Sequence, residues 1–211
     1  MKCDLKQCSV VLAGKWNTAI LSPKWVSDEV FDSESIEVLF AVLGDAPPRY
    51  QAGAIQMVVG PERVEFIPQE GSEDVFSKIE EAAVFLLRTL EYTPIRAVGE
   101  NFRYELTLSD DKERFDQVFR LSDGTALAKA GSDEGTDIRH CIGLSDCVLN
   151  LTLAHSAAGD HVDLNYHYDV SDAQEAAEKV ENTFWEKRSH GLRLLADVYN
   201  LNEEEVADED E

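Results

Sequence analysis

The sequence predicts an α+β protein in which two β-α-β-β-β-α halves form one mainly antiparallel sheet with two long helices on one face. Residues 9–91 follow the order strand, short helix, three strands and long helix, and residues 95–198 repeat that order. Neither half can bury both faces of its elements alone, whereas two halves packed about a pseudo-twofold axis form a continuous sheet or a split barrel. We therefore expect an internal duplication that gives one compact unit.

One insertion explains the unequal spacing of the two halves. Gly14 and Gly99 are equivalent positions of the two halves, and so are Val64 and Val162. The interval between the two glycines is shorter than the interval between the two valines. The difference is close to the length of residues 122–136, a segment of mixed polarity that has no counterpart in the first half. The resulting division is 1–92 for the first half, 93–200 for the second half and 201–211 for a disordered acidic tail.

Each predicted element of the first half depends on a local signal. Ser22 is a suitable N-cap and Pro23 suits the first helical position, so a short helix begins there. Ser72 caps a long helix that extends to about Leu90 and carries an apolar stripe at helical spacing. Gly60-Pro61 predicts the turn of a hairpin. The predicted strands are residues 9–16, 36–42, 52–59 and 62–68.

The second half repeats these elements. Gly99 is expected to mark a β-bulge in the first strand. Asp110 begins a short helix that continues through Phe119, and Ser171 and Asp172 precede a final helix that extends to about Tyr199. The predicted strands are residues 95–108, 138–144, 147–155 and 162–168.

Negative charge is the second strong feature of the sequence. The chain has 42 acidic and 19 basic residues, which gives a net charge of -23. The last nine residues contain seven acids and no base, so this tail cannot form a core. A surface of this sign repels nucleic-acid phosphates and anionic membranes. Such acidity is explained by solubility alone and is also compatible with binding a basic partner. We expect a protein partner, either a basic protein or a second copy of this chain, and no direct binding to nucleic acid or membrane.

The N-terminus and the cysteines indicate a cytoplasmic protein. The first residues lack the apolar core of a signal peptide, and no apolar run approaches the roughly 20 residues that span a bilayer. Cys3, Cys8, Cys141 and Cys147 do not have the paired spacing of a structural zinc site. In a reducing compartment such thiols are usually reduced.

Histidines concentrate in the last predicted hairpin. By alternation, His161, Asp163, Asn165 and His167 share one face of their strand. Such side chains can bind a metal or transfer protons, so His161, Asp163 and His167 are the candidate metal ligands, with His155 on the neighbouring strand. The alternative is that these residues form the solvated face of an antiparallel strand, which is expected to be polar.

No catalytic residue and no cofactor can be assigned from sequence motifs. The chain contains neither Gly-x-Ser-x-Gly nor His-Glu-x-x-His. Gly14 and Lys15 follow Val-Val-Leu-Ala, whereas a phosphate-binding loop needs a spaced glycine. Carboxylate pairs carry no information in so acidic a chain. The sequence therefore favours a protein that is not an enzyme.

Two segments carry a resemblance to a known group of proteins. One runs from Leu90 through Thr93-Pro94 to the strand containing Gly99, Asn101 and Phe102, and the other is the opening Val10–Trp25 segment. Both are similar to a sporadically distributed, uncharacterised family of bacterial and phage proteins. The resemblance covers about 30 residues and implies an α+β accessory protein without assigned catalytic residues. The predicted element order also resembles the duplicated saddle of TATA-binding-like folds.

Three functions remain open at this point. The first is a non-enzymatic interaction or accessory protein with a protein partner. The second is an acidic inhibitor or decoy that occupies a nucleic-acid-binding protein. The third is a small enzyme or metal protein that uses the hairpin from His155 to His167.

Overall fold

One antiparallel sheet organises the protein. The computed structural model describes residues 1–39, 47–107, 135–156 and 159–204. Within these residues the strands are β1 (Lys2–Cys3), β2 (Ser9–Gly14), β3 (Glu37–Leu39), β4 (Arg49–Ala52), β5 (Ile55–Val59), β6 (Arg63–Pro68), β7 (Ile95–Glu105), β8 (Gly135–Gly143), β9 (Val148–Ser156) and β10 (His161–Asp169). The α-helices are α1 (Pro23–Trp25), α2 (Glu73–Thr89), α3 (Ala173–Val180) and α4 (Phe184–Tyr199). A 3₁₀ turn spans Leu5–Gln7, and a π-helical turn, Val26–Val30, continues α1.

The strand order is β3-β4-β5-β6-β2-β7-β10-β9-β8, and every pair is antiparallel. The short β1 pairs with β7 beyond the end of β2. The first strand of each predicted half, β2 and β7, therefore lie side by side at the centre. The α+β class and the mainly antiparallel sheet are confirmed.

Alternation along the strands gives the sheet one buried face. On β7, Val98, Phe102 and Tyr104 are almost completely buried, whereas Asn101 and Arg103 between them remain partly exposed. The helices pack on the buried face through their apolar stripes, as amphipathic elements must. Ser72 accepts a hydrogen bond from the Val75 N–H and so caps α2 as predicted.

An aromatic cluster joins the helices to the centre of the sheet. The ring of Phe184, at the start of α4, lies 4.7 Å from the Phe76 ring on α2 and 5.1 Å from the Phe102 ring on β7. All three side chains are buried. Burial of each such side chain stabilises a fold by roughly 1.5–3 kcal/mol, so this cluster fixes α4 against both α2 and β7.

Helix α4 approaches β10 closely at Gly191. A Cβ atom at this position would overlap Leu164 Cδ1 and lie 3.2 Å from the Tyr166 hydroxyl. We expect Gly191→Ala to reduce the free energy of unfolding by about 1–2 kcal/mol, because overpacking outweighs the gain in helix propensity. Urea denaturation measures the change. Gly143→Ala is the control, since no atom lies within 4 Å of its Cβ position, and an equal effect of both substitutions would contradict the prediction.

Two predicted elements are each divided in the structure. The predicted strand 52–59 is interrupted near its start by a turn, where Gly53 has a φ of 53°. Ala52 ends β4, a strand that was not predicted, and the rest of the predicted strand is β5. The predicted final helix is interrupted between α3 and α4, where Asn182 has a φ of 62°. Glycine and asparagine are the residues that tolerate this left-handed conformation best. The hydrophobic pattern continues across both breaks and therefore does not reveal them.

The predicted bulge at Gly99 is wrong. Gly99 pairs in regular register with Val11 on one side and with His167 on the other. The register shift between β2 and β7 lies instead between Ala13 and Gly14.

The first four residues of the predicted C-terminal tail are ordered. Leu201 is only 1% exposed, and Arg188 donates hydrogen bonds of 2.6 and 2.7 Å to the carboxylate of Glu203. The Glu204 N–H donates a 2.8 Å hydrogen bond to the carbonyl oxygen of Met1. Residues 201–204 therefore pack on the body, and residues 205–211 lie outside the described residues.

Part of the second half also lies outside the described residues. This part includes the predicted helix from Asp110 to Phe119 and most of the predicted insertion 122–136. The last two residues of that insertion, Gly135 and Thr136, belong to β8. None of the helices in the described ranges is long and apolar enough to cross a membrane.

Candidate functional site

The predicted histidine face lies on β10, with its side chains on the face of the sheet opposite the buried one. Asp163 accepts two hydrogen bonds from Arg103, 2.6 Å from Nε and 2.8 Å from Nη2. His161 Nε2 lies 3.6 Å from Asp163 Oδ2, and His167 Nε2 lies 3.2 Å from Asp169 Oδ1. The nearby His155 Nδ1 lies 2.7 Å from Asp160 Oδ1. Each histidine of the hairpin therefore has a carboxylate beside it.

Strand geometry separates the candidate metal ligands. His161 and His167 are six residues apart, and a strand rises about 3.3 Å per residue, so their Cα atoms are about 20 Å apart. A single ion is bound at about 2–2.5 Å from each ligand, which excludes a site that uses both histidines. Among the residues that the structure describes, no group of three or more His, Cys, Asp or Glu side chains could hold a metal ion. A site at His161 and Asp163 stays a prediction.

A row of amide side chains crosses the same face of the sheet, and motif analysis did not find it. Asn150 donates a 3.0 Å hydrogen bond to Asn165, Asn165 donates a 2.7 Å bond to Asn101, and Asn101 donates a 3.2 Å bond to Ser9. These four residues are direct cross-strand neighbours on β9, β10, β7 and β2. A Cβ at Gly99 would lie 3.2 Å from Asn165 Nδ2, so glycine leaves room for the row. The row fixes the strand register on this face.

A buried carboxyl group, that of Glu100, lies on the opposite face of the sheet, which the helices cover. Glu100 on β7 is completely buried, and burial raises its pKa to about 8 despite hydrogen bonds with two hydroxyl groups. Tyr168 donates a 3.0 Å hydrogen bond to Glu100 Oε2. The Thr183 hydroxyl lies 2.7 Å from Glu100 Oε1 and 2.9 Å from the carbonyl oxygen of Lys179. The Thr183 hydroxyl has one hydrogen, which it donates to the carbonyl oxygen of Lys179. A protonated Glu100 then donates its own hydrogen to the Thr183 oxygen and accepts the bond from Tyr168.

A second buried acid caps helix α4. Glu80 on α2 accepts hydrogen bonds from the N–H groups of Phe184 and Trp185, at 2.6 and 3.2 Å. Burial raises the pKa of Glu80, and these two backbone bonds oppose that shift. The first N–H groups of a helix have no partner within the helix, so a carboxylate there satisfies donors that would otherwise be orphaned. Both Glu80 and Glu100 therefore connect α4 to the rest of the fold.

A cluster of polar side chains borders a cavity beside α4. Lys187 Nζ lies 3.0 Å from Asp146 Oδ2 and 5.6 Å from the centre of the Tyr166 ring. The Tyr166 hydroxyl lies 2.8 Å from His190 Nδ1, and burial lowers the pKa of His190. The cavity has a volume of about 570 Å³. An ion pair, an aromatic contact and a hydrogen bond account for this cluster, which holds the turn before β9 against α4.

An acidic groove lies on the helix layer between α2 and the end of α3. The cavity has a volume of about 510 Å³, and the Phe85 side chain on its wall is 39% exposed. Arg88 donates a 2.8 Å hydrogen bond to Glu181 and so bridges the two helices. A second cavity of about 390 Å³ lies on the other side of Arg88. The exposed acidic residues that line the two cavities are Glu81, Glu91, Glu178 and Glu181.

Phe85 carries the sequence signal for this groove. The predicted apolar stripe of the helix consists of Val75, Ile79, Ala82, Ala83, Leu86, Leu87 and Leu90. Phe85 lies outside that stripe, so the helical pattern places this aromatic side chain off the buried face of the helix. The partner helix α3 could not be placed beside it from the sequence, because that contact depends on the tertiary fold.

These features define the class of the protein: an α+β protein with a ten-stranded antiparallel sheet in its described part, one face covered by helices and the other polar. No family model matches the chain, and neither a curated protein nor a solved structure shows significant similarity to it.

Proposed function

We propose that this is a non-enzymatic interaction protein whose groove between α2 and α3 binds a basic segment of a partner protein. The observation that carries the proposal is the groove itself, in which the exposed Phe85 shares a cavity with Glu81, Glu181 and Arg88. The second cavity at Arg88 adds Glu91 and Glu178. An apolar anchor surrounded by charges of one sign matches an amphipathic basic helix laid into a groove.

The expected binding energy comes mainly from the apolar contact. Anchors at interface centres are typically aromatic. Phe85 is 39% exposed, so burial of that fraction contributes about 0.6–1.2 kcal/mol of the roughly 1.5–3 kcal/mol for a fully exposed side chain. The glutamates at the rim contribute less per contact, about 0.2–1 kcal/mol for each exposed ion pair. Their principal effect is on the association rate and on the choice of a basic partner.

The charge of the whole chain supports the same partner class. A net charge of -23 attracts basic proteins over distances of about a Debye length and repels nucleic acid. A decoy that occupies a nucleic-acid-binding protein is the special case in which the partner's basic surface is its nucleic-acid site. That case predicts competition between this protein and DNA or RNA.

We also propose that the fold is a duplicated saddle. Outward from the centre, the strands run β2, β6, β5, β4, β3 on one side and β7, β10, β9, β8 on the other. Apart from the three-residue strand β3, the order along the chain is therefore equivalent on both sides. A long helix follows the last strand of each half, α2 in the first and α3 with α4 in the second. This correspondence supports duplication, and the cytoplasmic location and the bacterial or phage accessory role stay expectations.

Binding of a defined probe tests the groove. The probe is a labelled amphipathic helical peptide built from leucine and lysine, with a leucine–glutamate peptide of the same pattern as its control. Fluorescence anisotropy is expected to show binding of the lysine peptide alone, and weaker binding at about 0.3 M than at about 0.05 M salt. Equal binding of both peptides, or no effect of salt, would contradict the proposal.

Substitutions locate the binding to the groove. Phe85→Ala is expected to weaken binding about fivefold, which corresponds to about 1 kcal/mol of lost apolar contact. Joint reversal of Glu81 and Glu181 to lysine is expected to weaken it further and to reduce its dependence on salt. The matched controls are Leu39→Ala, at a residue 48% exposed on the edge strand β3, and Glu37→Lys on the same strand. Equal losses in the controls would assign the binding to general charge.

A further inference from the structure

Two cysteines that are separated in the sequence by a 3₁₀ turn meet in the structure. Cys3 ends β1 and Cys8 precedes β2, and their Sγ atoms lie 3.3 Å apart as free thiols. The turn is closed by a 3.1 Å hydrogen bond from the Cys8 N–H to Leu5 O and by Asp4, whose carboxylate accepts from the Lys6 N–H. A disulfide needs an S–S distance of about 2.05 Å, so closure requires an approach of just over 1 Å.

The surroundings of Cys3 favour its thiolate. The Cys8 thiol is hydrogen-bonded to Cys3 and lowers the pKa of Cys3, and the Arg188 guanidinium acts in the same direction. The same hydrogen bond, together with burial, raises the pKa of Cys8. Thiolates are the reactive form of cysteine, and a neighbouring arginine is a typical means of stabilising them.

Two buried polar groups beside Cys3 have no hydrogen-bond partner. They are Arg188 Nε and the Tyr104 hydroxyl. Within the described part of the chain, these two are the buried side-chain nitrogen and oxygen atoms that lack a hydrogen-bond partner. Tyr104 is the direct cross-strand neighbour of Cys3. A buried polar group without a partner costs about 1–3 kcal/mol, so each of these two groups is stabilised when a small oxygen-containing molecule, such as water or a peroxide, binds to it.

The site is accessible from one side. Cys3, Arg188 and Glu203 border a surface cleft of about 420 Å³. Cys3 is partly exposed to this cleft, whereas Cys8 is buried behind it. A small oxidant therefore reaches Cys3 first, and Cys8 is in position to react second.

We propose that Cys3 and Cys8 form a peroxide-reactive redox pair, in which Cys3 is attacked first and Cys8 closes the disulfide. The Cys3 thiolate attacks one oxygen of hydrogen peroxide, the O–O bond breaks, and an S–O bond forms with release of water after protonation. The Cys8 sulfur then attacks the Cys3 sulfur, so that the S–S bond forms, the S–O bond breaks and a second water leaves. Two thiols are oxidised by two electrons, and the peroxide is reduced to two waters. Arg188, which borders the cleft together with Cys3, supplies the donor for the peroxide oxygen.

This redox pair is independent of the proposed peptide groove, because its residues lie on β1, the 3₁₀ turn and the middle of α4. Oxidation removes the ionisable thiol of Cys3 that faces Arg188 and leaves Glu203 as the anionic partner of Arg188. The pair is therefore coupled to the C-terminal residues 201–204, which pack on the same side of the molecule.

Oxidation of the full-length protein by hydrogen peroxide tests the proposal. Alkylation of the remaining thiols, followed by peptide mass spectrometry, is expected to show an intramolecular Cys3–Cys8 disulfide. At neutral pH, Cys3 is expected to be oxidised at least about tenfold faster than the exposed Cys141, which is the internal control. Oxidation of Cys141 before Cys3, or the absence of the Cys3–Cys8 disulfide, would overturn the proposal.

Single substitutions separate the two roles. In Cys8→Ser, the sulfenic acid at Cys3 is expected to accumulate and to be trapped by a dimedone probe. In Cys3→Ser, Cys8 is expected to stay reduced at the same peroxide concentration. Both variants keep a small polar side chain, and circular dichroism verifies their fold. Equal reactivity of Cys8 with and without Cys3 would contradict the assigned order of attack.

Discussion

Replacement of Glu100 by glutamine is expected to make the protein more stable than the wild type at about pH 9 and to change its stability little at about pH 4. Glutamine keeps one acceptor for Tyr168 and one donor for Thr183, the two groups that lie 3.0 and 2.7 Å from the carboxyl oxygens of Glu100. The substitution therefore preserves the hydrogen bonds of the protonated acid and removes the possibility of ionisation.

The sign of this effect follows from the direction of the pKa shift. Burial raises the pKa of Glu100 from 4.5 to about 8, so the folded state holds its proton more tightly than the unfolded state. The stabilisation is fully present below pH 4.5 and is lost as pH rises towards 8. At about 1.4 kcal/mol per pH unit, the advantage of Glu100→Gln approaches at most about 5 kcal/mol above that range.

Urea denaturation of both proteins at several pH values measures the difference directly. Glu178→Gln is the matched control, because it makes the same chemical change at an exposed position on α3. Its difference from the wild type is expected to stay within about 0.5 kcal/mol at every pH. A constant difference between Glu100→Gln and the wild type across the pH range would show that Glu100 does not hold a raised pKa.

Replacement of Glu80 by alanine is expected to reduce the free energy of unfolding by about 2–4 kcal/mol. The substitution removes the acceptor for the N–H groups of Phe184 and Trp185, and the first of these is buried. It also leaves a small cavity between α2 and α4. Loss of an N-cap alone costs about 1 kcal/mol, so the larger value reflects burial.

Glu80→Gln separates the cap from the charge. Its side-chain oxygen still accepts from both N–H groups, so we expect it to recover at least half of the stability that alanine loses. The control is Glu81→Ala at the adjacent exposed position of α2, with an expected change within about 0.5 kcal/mol. If Glu80→Ala and Glu81→Ala lost the same stability in thermal denaturation, the cap would not contribute as proposed.

Local signals in the sequence predicted most of the secondary structure. Ser72 caps α2, and Gly60-Pro61 connects β5 and β6, as their residue types indicate. The breaks at Gly53 and Asn182 were missed, because backbone conformation at a single residue leaves the hydrophobic pattern unchanged. At Gly99 the error is of the opposite kind, because a glycine within a strand predicted a bulge that is absent. The glycine instead leaves room for the side-chain amide of Asn165.

The candidate sites were less predictable than the fold, because they depend on contacts between distant segments. Phe85 and Glu181 are far apart in the sequence and meet through packing of α2 on α3. Cys3 and Cys8 are close in the sequence, but the 3₁₀ turn that brings their sulfur atoms together has no motif. The histidine face was visible by alternation, yet alternation does not show the partner strands that supply Arg103 beside Asp163.

The position of β7 has a consequence for how the chain folds. β7 pairs with β2, through contacts such as Ser9 with Asn101, and with β10, through contacts such as Asn165 with Asn101. Both pairings close long loops, and proteins dominated by such non-local contacts fold in milliseconds to seconds. During synthesis, β2 emerges from the ribosome well before β7, so its outer edge stays unpaired for seconds and is open to pairing with another chain. The central strand that joins the two sides of the sheet is therefore also the one whose late arrival sets the aggregation risk of the nascent protein.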